Sequence, residues 1–320
     1  METKLTASLS LDADNLWSYL KVRGNEAWRS RPTYLDIFVP HVLRVLDHLG
    51  VRITFFIVGA DAVDNRNKQY LRALVVAGHE VGNHSHEHEP WLHLYKRGDV
   101  RRELVEAHRA ILDATGATPV GFRGPGFSWS AEVLATVAEL RYAFDASTFP
   151  TFLGPLARAY YFSTAKLTEE EREERASLFG GFSEGLRPLR PYFWKLPGDR
   201  QLLEIPVTTM PVFKVPFHVS YLLYLARFSE ALMSAYLATA LKMCQVSRTE
   251  PSVLLHPLDL LGGDQVPELR FFPGMDFTTD RKTQLFEKII KQIARSFELV
   301  PMGEHARRLA QRPLPTRAVK

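Results

Sequence analysis

His84 and His88 stand four residues apart in His84-Ser85-His86-Glu87-His88, a spacing that places two imidazoles on one face of a helical turn. From there both can reach one metal ion at about 2.0–2.1 Å. The cluster is internal, follows an expected buried strand and precedes Pro90 and Trp91, which favours ligand chemistry over a solvated histidine patch. His86 falls out of phase with the pair, backing the ligands or facing solvent. Upstream, Asp12-Ala13-Asp14 sets two carboxylates at period two, which on an extended chain points both into one cavity. The same pattern also serves as a turn or a helix cap. Arg123, in Gly121-Phe122-Arg123-Gly124-Pro125-Gly126-Phe127, enters a stiff loop where a forked, charge-assisted hydrogen bond can hold a carboxylate. His256 ends the apolar run Leu254-Leu255, a position that is usually structural for a lone histidine but here has chemical company.

Each of these groups lies at or just past the C-terminal end of an expected strand, the edge where parallel α/β folds build active sites. Leu5, Ala7, Leu9 and Leu11 alternate with Thr6, Ser8 and Ser10 into Asp12. Further strands are expected at Val51 to Val58, His79 to Asn83, Val120 to Arg123, Tyr142 to Ala146, Leu202 to Val207 and Ser252 to His256. Helical patterns alternate with them: Asp36 to Gly50, Lys68 to Ala77, a helix capped by Asp99 and stopped at Gly116, Ser130 to Leu140, and Asp280 to Phe297. That rhythm predicts a layered or barrel α/β fold with mostly parallel strands. It breaks between Gly154 and Asp199, where the Glu169 to Glu174 block lacks the apolar residues for a core of its own, so 154–200 is expected to form an inserted lid or a solvated rim. Residues 212–245 form an apolar helical segment.

The 320-residue chain is 46% hydrophobic and 24% charged, which excludes disorder, collagen and coiled coil as its main architecture. Cys244 is alone and cannot form an internal disulfide. The first residues show no apolar signal-peptide core, and His218, Arg227, Glu230 and Lys242 interrupt the most apolar stretch, Phe217 to Met243, short of a membrane span. A cytoplasmic location is therefore expected. The net charge of +4 comes without a polycationic arm and argues against nucleic acid as a partner.

Together the motifs resemble the polysaccharide deacetylase family, the nodulation-factor deacetylase homology domain of carbohydrate esterase family four. Asp12 and Asp14 match its base and metal aspartates, His84, Ser85 and His88 its His-Ser/Thr-x-x-His motif, Arg123 and Pro125 its Arg-x-Pro motif, and His256 its terminal histidine. Asp145-Ala146-Ser147 is similar to a Tyr-Asp-Ser-Ser block of one branch. Ala13 separates the aspartates and Asn15 replaces the usual glycine, a spacing that resembles the Asp-x-Asp branch with its peptidoglycan-deacetylase-like and amino-sugar-deformylase-like members. The motifs run from 12 to 256 in family order, which implies a single distorted (β/α) barrel of about seven parallel strands over residues 1–320, with the helical insertion.

The resemblance implies hydrolysis of an N-acyl amino sugar. Asp14, His84 and His88 would hold a divalent metal, zinc by its ligand set, with cobalt, nickel, manganese or iron accepted by the same donors. Asp12 would act as base, Arg123 would orient it, and His256 would protonate the leaving amine, supported by Asp145 or by Asp259. Phe127 stands where many relatives have tyrosine and would keep the backbone N–H used near the oxyanion. Three functions follow: an N-acetylhexosamine deacetylase on a polysaccharide, an oligosaccharide or a lipid-linked precursor; a deformylase or other amidase with the same machinery; and a non-catalytic carbohydrate- or lipid-binding barrel. The aromatic run from Val212 to Met243, together with Arg158, Tyr160, Tyr161, Arg187, Arg190 and Trp194, points to a peripheral contact at the inner membrane face with a lipid-linked amino sugar. Oligomeric state stays open.

Overall fold

The alternating N-terminal segment becomes strand β1 (Thr6–Asp12), buried along its whole length. The reason is its position: three parallel neighbours, β2 (Thr54–Ile57), β8 (Ser252–Leu255) and β9 (Glu298–Pro301), pair with it, and parallel strands are covered on both faces. The computed structural model describes residues 4–156, 162, 169 and 181–319. From β2 the parallel sheet continues through β3 (Glu80–Asn83), β4 (Gly121–Phe122), β5 (Phe144–Asp145) and β7 (Gln201–Glu204). Beyond β7, the antiparallel β6 (Tyr192–Lys195) and then β10 (Thr316–Ala318) extend the edge. The ladder thus runs β10-β6-β7-β5-β4-β3-β2-β1-β8, with β9 beside β1.

Past β7 the chain reaches across to the far edge. Thr208 N–H donates to the Ser252 carbonyl at 3.0 Å, and Ser252 N–H donates to Thr208 Oγ1 at 2.8 Å. These two bonds, rather than a strand ladder, link the β7 side to β8.

Helices fill the connections where periodicity predicts them: Leu35–Leu49, Asn65–Val76, Arg97–Thr115, Ala131–Glu139 and Thr279–Ser296. Ser130 caps its helix by accepting the Val133 N–H. The helix expected to begin at Asp99 starts at Arg97 behind Lys96, and Asp99 sits in its first turn, paired with Arg102 at 2.8 Å. The main core packs Phe38, Val42 and Leu46 from one side and Leu285, Phe286, Ile289 and Ile293 from another against β1, β2 and β8.

The 212–245 segment is two helices, Val219–Ala226 and Glu230–Val246, the second capped by Ser229. The expected insertion needs correcting at its end. Tyr192 and Trp194 belong to β6 and are buried in a second core cluster with Phe122, Val133 and Leu202, so residues 192–195 are sheet, not lid. Arg158, Tyr160, Tyr161 and most of the Glu169 to Glu174 block lie outside the described residues.

Candidate active site

Asp12, Asp14, His84, Arg123 and His256 gather at the C-terminal ends of β1, β3, β4 and β8, and His88 joins them from the loop after β3. Ligand atoms of Asp14, His84 and His88 lie within 4.8 Å of one another, and all three residues are buried. His88 Nε2 is 2.9 Å and His84 Nε2 3.4 Å from Asp14 Oδ1. His84 Nδ1 is 2.7 Å from the Arg123 carbonyl. As a donor there it leaves Nε2 with its lone pair free, the arrangement metal-ligating histidines commonly show. Burial disfavours charge on His84, yet the Asp12 and Asp14 carboxylates outweigh it and raise its pKa. Burial likewise opposes ionisation of Asp14, and His88 and His84 overcome it, holding this carboxyl below the usual range. A buried carboxylate faced by imidazoles and, among the described residues, by no lysine or arginine of its own is a setting that calls for a cation, and the donor set fits a divalent metal.

The two histidines do not share a helical turn. Residues 84–90 are irregular, with Ser85 at φ 60° and His88 at φ 51°. Glu103, buried on the Arg97–Thr115 helix, holds this loop: its Oε2 accepts the N–H groups of His86 at 3.0 Å and Glu87 at 2.9 Å. Gly59 and Ala60 N–H donate to the Ser85 and His86 carbonyls from the other side.

Arg123 is fully buried and grips Asp12, with Nη1 2.6 Å from Oδ1. Its Nε donates to the Ala146 carbonyl at 3.2 Å, and its guanidinium lies 4.4 Å from the centre of the Phe56 ring. The other oxygen of Asp12, Oδ2, lies 4.0 Å from His84 Nε2 and takes no part in that grip. Gly124 must be glycine, because a Cβ would meet the Ser128 carbonyl oxygen at 1.9 Å. The Phe127 N–H, expected near an oxyanion, instead donates to the Gly124 carbonyl at 2.9 Å and closes the tight turn.

Asp145 and Asp259 part company. Asp145 accepts from the Ser147 hydroxyl at 2.7 Å and the Ser147 N–H at 3.2 Å, and shares a hydrogen bond with Glu204. Burial pushes both carboxyls up, Glu204 further because Asp145 adds like charge, so the pair retains a proton. Ser147 Oγ also accepts the Gly124 N–H at 2.8 Å, so this network braces the Arg123 loop. Support of His256 falls to Asp259: it accepts the His256 backbone N–H at 2.8 Å and the Ser220 hydroxyl at 2.7 Å, with Ser220 Oγ 3.5 Å from His256 Nδ1. Sequence reasoning misses Glu103, Glu204 and Ser220, which carry no local signal. It also misses Asp61, whose Oδ1 accepts from Asn15 at 2.7 Å and Trp17 at 2.9 Å and whose carboxyl burial pushes up to about 7. Asn15 in turn caps the Leu16–Val22 helix, fixing the chain just past Asp14.

Residues 33–144 match the family model for polysaccharide deacetylase. A chitooligosaccharide deacetylase from Sinorhizobium fredii is 44% identical over 103 residues, 32% of this chain and 46% of that protein. A peptidoglycan-N-acetylglucosamine deacetylase from Listeria monocytogenes is 31% identical over 86 residues, 27% of this chain and 18% of that protein. The chain therefore spans about half, or less, of the length of these curated relatives. A crystal structure of a candidate polysaccharide deacetylase from Mycobacterium smegmatis shares the fold, with TM-score 0.62 at 18% identity, covering 100% of this chain and 96% of that one. Residues 33–144 are thus similar to the polysaccharide deacetylase family, and the chain as a whole shares the fold of the Mycobacterium smegmatis structure.

Proposed function

We propose that the protein is a metal-dependent hydrolase that removes an N-acetyl group from an amino sugar in an oligosaccharide or glycan precursor. One observation carries this reading: two neighbouring carboxylates are given different partners, Asp14 two imidazoles and Asp12 a buried guanidinium that occupies only one of its oxygens. A divalent cation held by Asp14, His84 and His88 supplies Lewis acidity toward an acyl oxygen and lowers the pKa of water, and zinc suits that donor set, with cobalt, nickel, manganese and iron as alternatives. Asp12 takes the proton of the attacking water at Oδ2 while Arg123 keeps the carboxylate aligned through Oδ1. His256, steadied through Ser220 and Asp259, gives a proton to the amine nitrogen as the C–N bond breaks. Water is thereby divided between the two products, a carboxylate and a free amino sugar.

The substrate class follows the relatives, which act on chitooligosaccharide and on peptidoglycan N-acetylglucosamine. Release of amine from N-acetylglucosamine oligomers, measured beside metal content, tests the reading; N-formyl sugars run in parallel separate a deformylase. Loss of metal without loss of turnover rules the mechanism out. A lipid-linked sugar at a membrane surface is a second reading, supported by the exposure of Val212, Phe213, Phe228 and Leu232. Among the described residues no helix is long and apolar enough to cross a membrane.

A further inference from the structure

His218 precedes the Val219–Ala226 helix and is only 5% exposed. Among the described residues neither of its ring nitrogens has a hydrogen-bond partner, and Nδ1 is sealed from solvent as well. A neutral imidazole has one donor and one acceptor to satisfy, and leaving the sealed Nδ1 unpaired is unfavourable, so Nε2 is the nitrogen left to meet a ligand. Packing does not require an imidazole here. The ring lies among other rings, 4.7 Å from Tyr221 edge-on, 5.6 Å from Phe149 and 6.2 Å from His256, centre to centre. A phenyl ring could pack against the same neighbours without the polar cost. Burial, with the positive charges of His256 and Arg123, holds the His218 pKa down at about 3, so the ring is neutral at physiological pH. Phe149 stacks on Phe127 at 4.6 Å, and Phe127, Phe149 and His256 are all half-buried, so a band of rings joins the Arg123 loop to the proposed acid.

The geometry points to His218 as a substrate-binding residue that exchanges a hydrogen bond with a hydroxyl of the sugar ring carrying the scissile amide, on the leaving-group side next to His256. This rests on the amino-sugar hydrolase reading. Its bland competitor is a histidine that merely fills space, and the two differ in what a shape-conserving substitution does.

The test compares His218→Phe, which keeps a ring, with His218→Gln, which keeps a donor and an acceptor. Steady-state amine release from N-acetylglucosamine oligomers gives kcat and KM, and calorimetry measures binding of the same oligomers in an Asp12→Asn background. His218→Phe should lower kcat/KM and weaken binding about 10- to 100-fold while Tm stays level or rises, and His218→Gln should recover most of the loss. Unchanged kcat/KM and binding in His218→Phe, or equal losses in Phe and Gln variants, would overturn the assignment. If the unmodified protein releases no amine, the hydrolase reading fails by itself and calorimetry still decides. Binding weakened by Phe and kept by Gln then upholds His218; equal binding, or none to any oligomer, refutes it.

Discussion

Removing the Glu103 carboxylate should loosen the metal-ligand loop, and the structure sets the size of the effect. One buried oxygen accepts two backbone N–H groups, from His86 and Glu87, at 3.0 and 2.9 Å. Hydrogen bonds to a charged acceptor contribute about 1.5–3 kcal/mol each. Since the loop is partly held by Gly59 and Ala60 as well, the lower end applies, and Glu103→Ala should destabilise the protein by about 3–4 kcal/mol. Glu103→Gln keeps an acceptor oxygen and gives up the charge, at a cost of about 1 kcal/mol. Because His84 and His88 flank the two tethered residues, metal affinity should fall about 10- to 100-fold in the alanine variant, the range for groups that orient ligands. Urea unfolding and chelator competition measure the two quantities. If Glu103→Ala stays within about 0.5 kcal/mol of the parent and keeps its metal affinity, the tether is idle and the reasoning fails. Equal damage from alanine and glutamine would instead show that the charge, not the mere presence of an acceptor oxygen, carries the tether.

Asp12→Asn should retain metal while lowering turnover about 10²- to 10⁴-fold, whereas Asp14→Asn should lose metal; metal loss from the Asp12 variant would reverse the assigned roles. Glu204 binds its proton more tightly folded than unfolded, because burial and Asp145 raise its pKa well above the ordinary glutamate value of 4.5. Its contribution to stability is therefore full below that value and declines as pH rises toward the folded pKa. Glu204→Gln should flatten this decline in urea midpoints measured across pH, and parallel profiles for parent and variant would contradict the shared-proton pair. Val212 and Phe213, 80% and 62% exposed, should support co-sedimentation with anionic vesicles that Val212→Asp/Phe213→Asp abolishes; a parent protein that stays in the supernatant removes the membrane reading.

Strands that lead into chemistry were the most legible part of the fold. Buried, short and rich in apolar or β-branched residues, β1, β2 and β8 advertise themselves, and the helices between them carry a clear period. Strands β6 and β10 do not. Tyr192–Lys195 lies amid prolines and depends on Trp194 finding Glu204, 2.9 Å away, while Thr316–Ala318 is exposed and is a strand only because β6 lies beside it. In the site, the structure brings together Asp14, His84 and His88, which residue type alone singles out, although the helical turn that the histidine spacing suggests is absent. Glu103 could not be singled out, since a glutamate on an amphipathic helix looks like a solvated one until the loop folds back over it. His218 was hidden for a similar reason: in the sequence it only interrupts an apolar run.

The relation between Asp12 and Asp14 shows where a local rule leads two residues to one site for an incomplete reason. Period-two spacing places both carboxylates on one face of a strand, which makes them equivalent, yet the proposed chemistry needs them to differ. β1 ends at Asp12, although the Ala13 N–H still donates to Phe56 at 2.9 Å. Beyond it the chain turns: Asn15 caps the next helix and is anchored by Asp61, while the Tyr34 hydroxyl donates to the Asp14 carbonyl. Asp12 therefore stays within the sheet, where a guanidinium leaving β4 can reach it, and Asp14 swings to the histidine loop after β3. With Ala13 between them, the two acids end in different environments, one in the sheet and one past the turn. Adjacent aspartates on this strand would point to opposite faces, so a chain with that spacing must turn differently to bring both into one site. Asn15 belongs to the same arrangement: its side chain, held by Asp61, caps the helix that follows and fixes the turn that carries Asp14 off the strand.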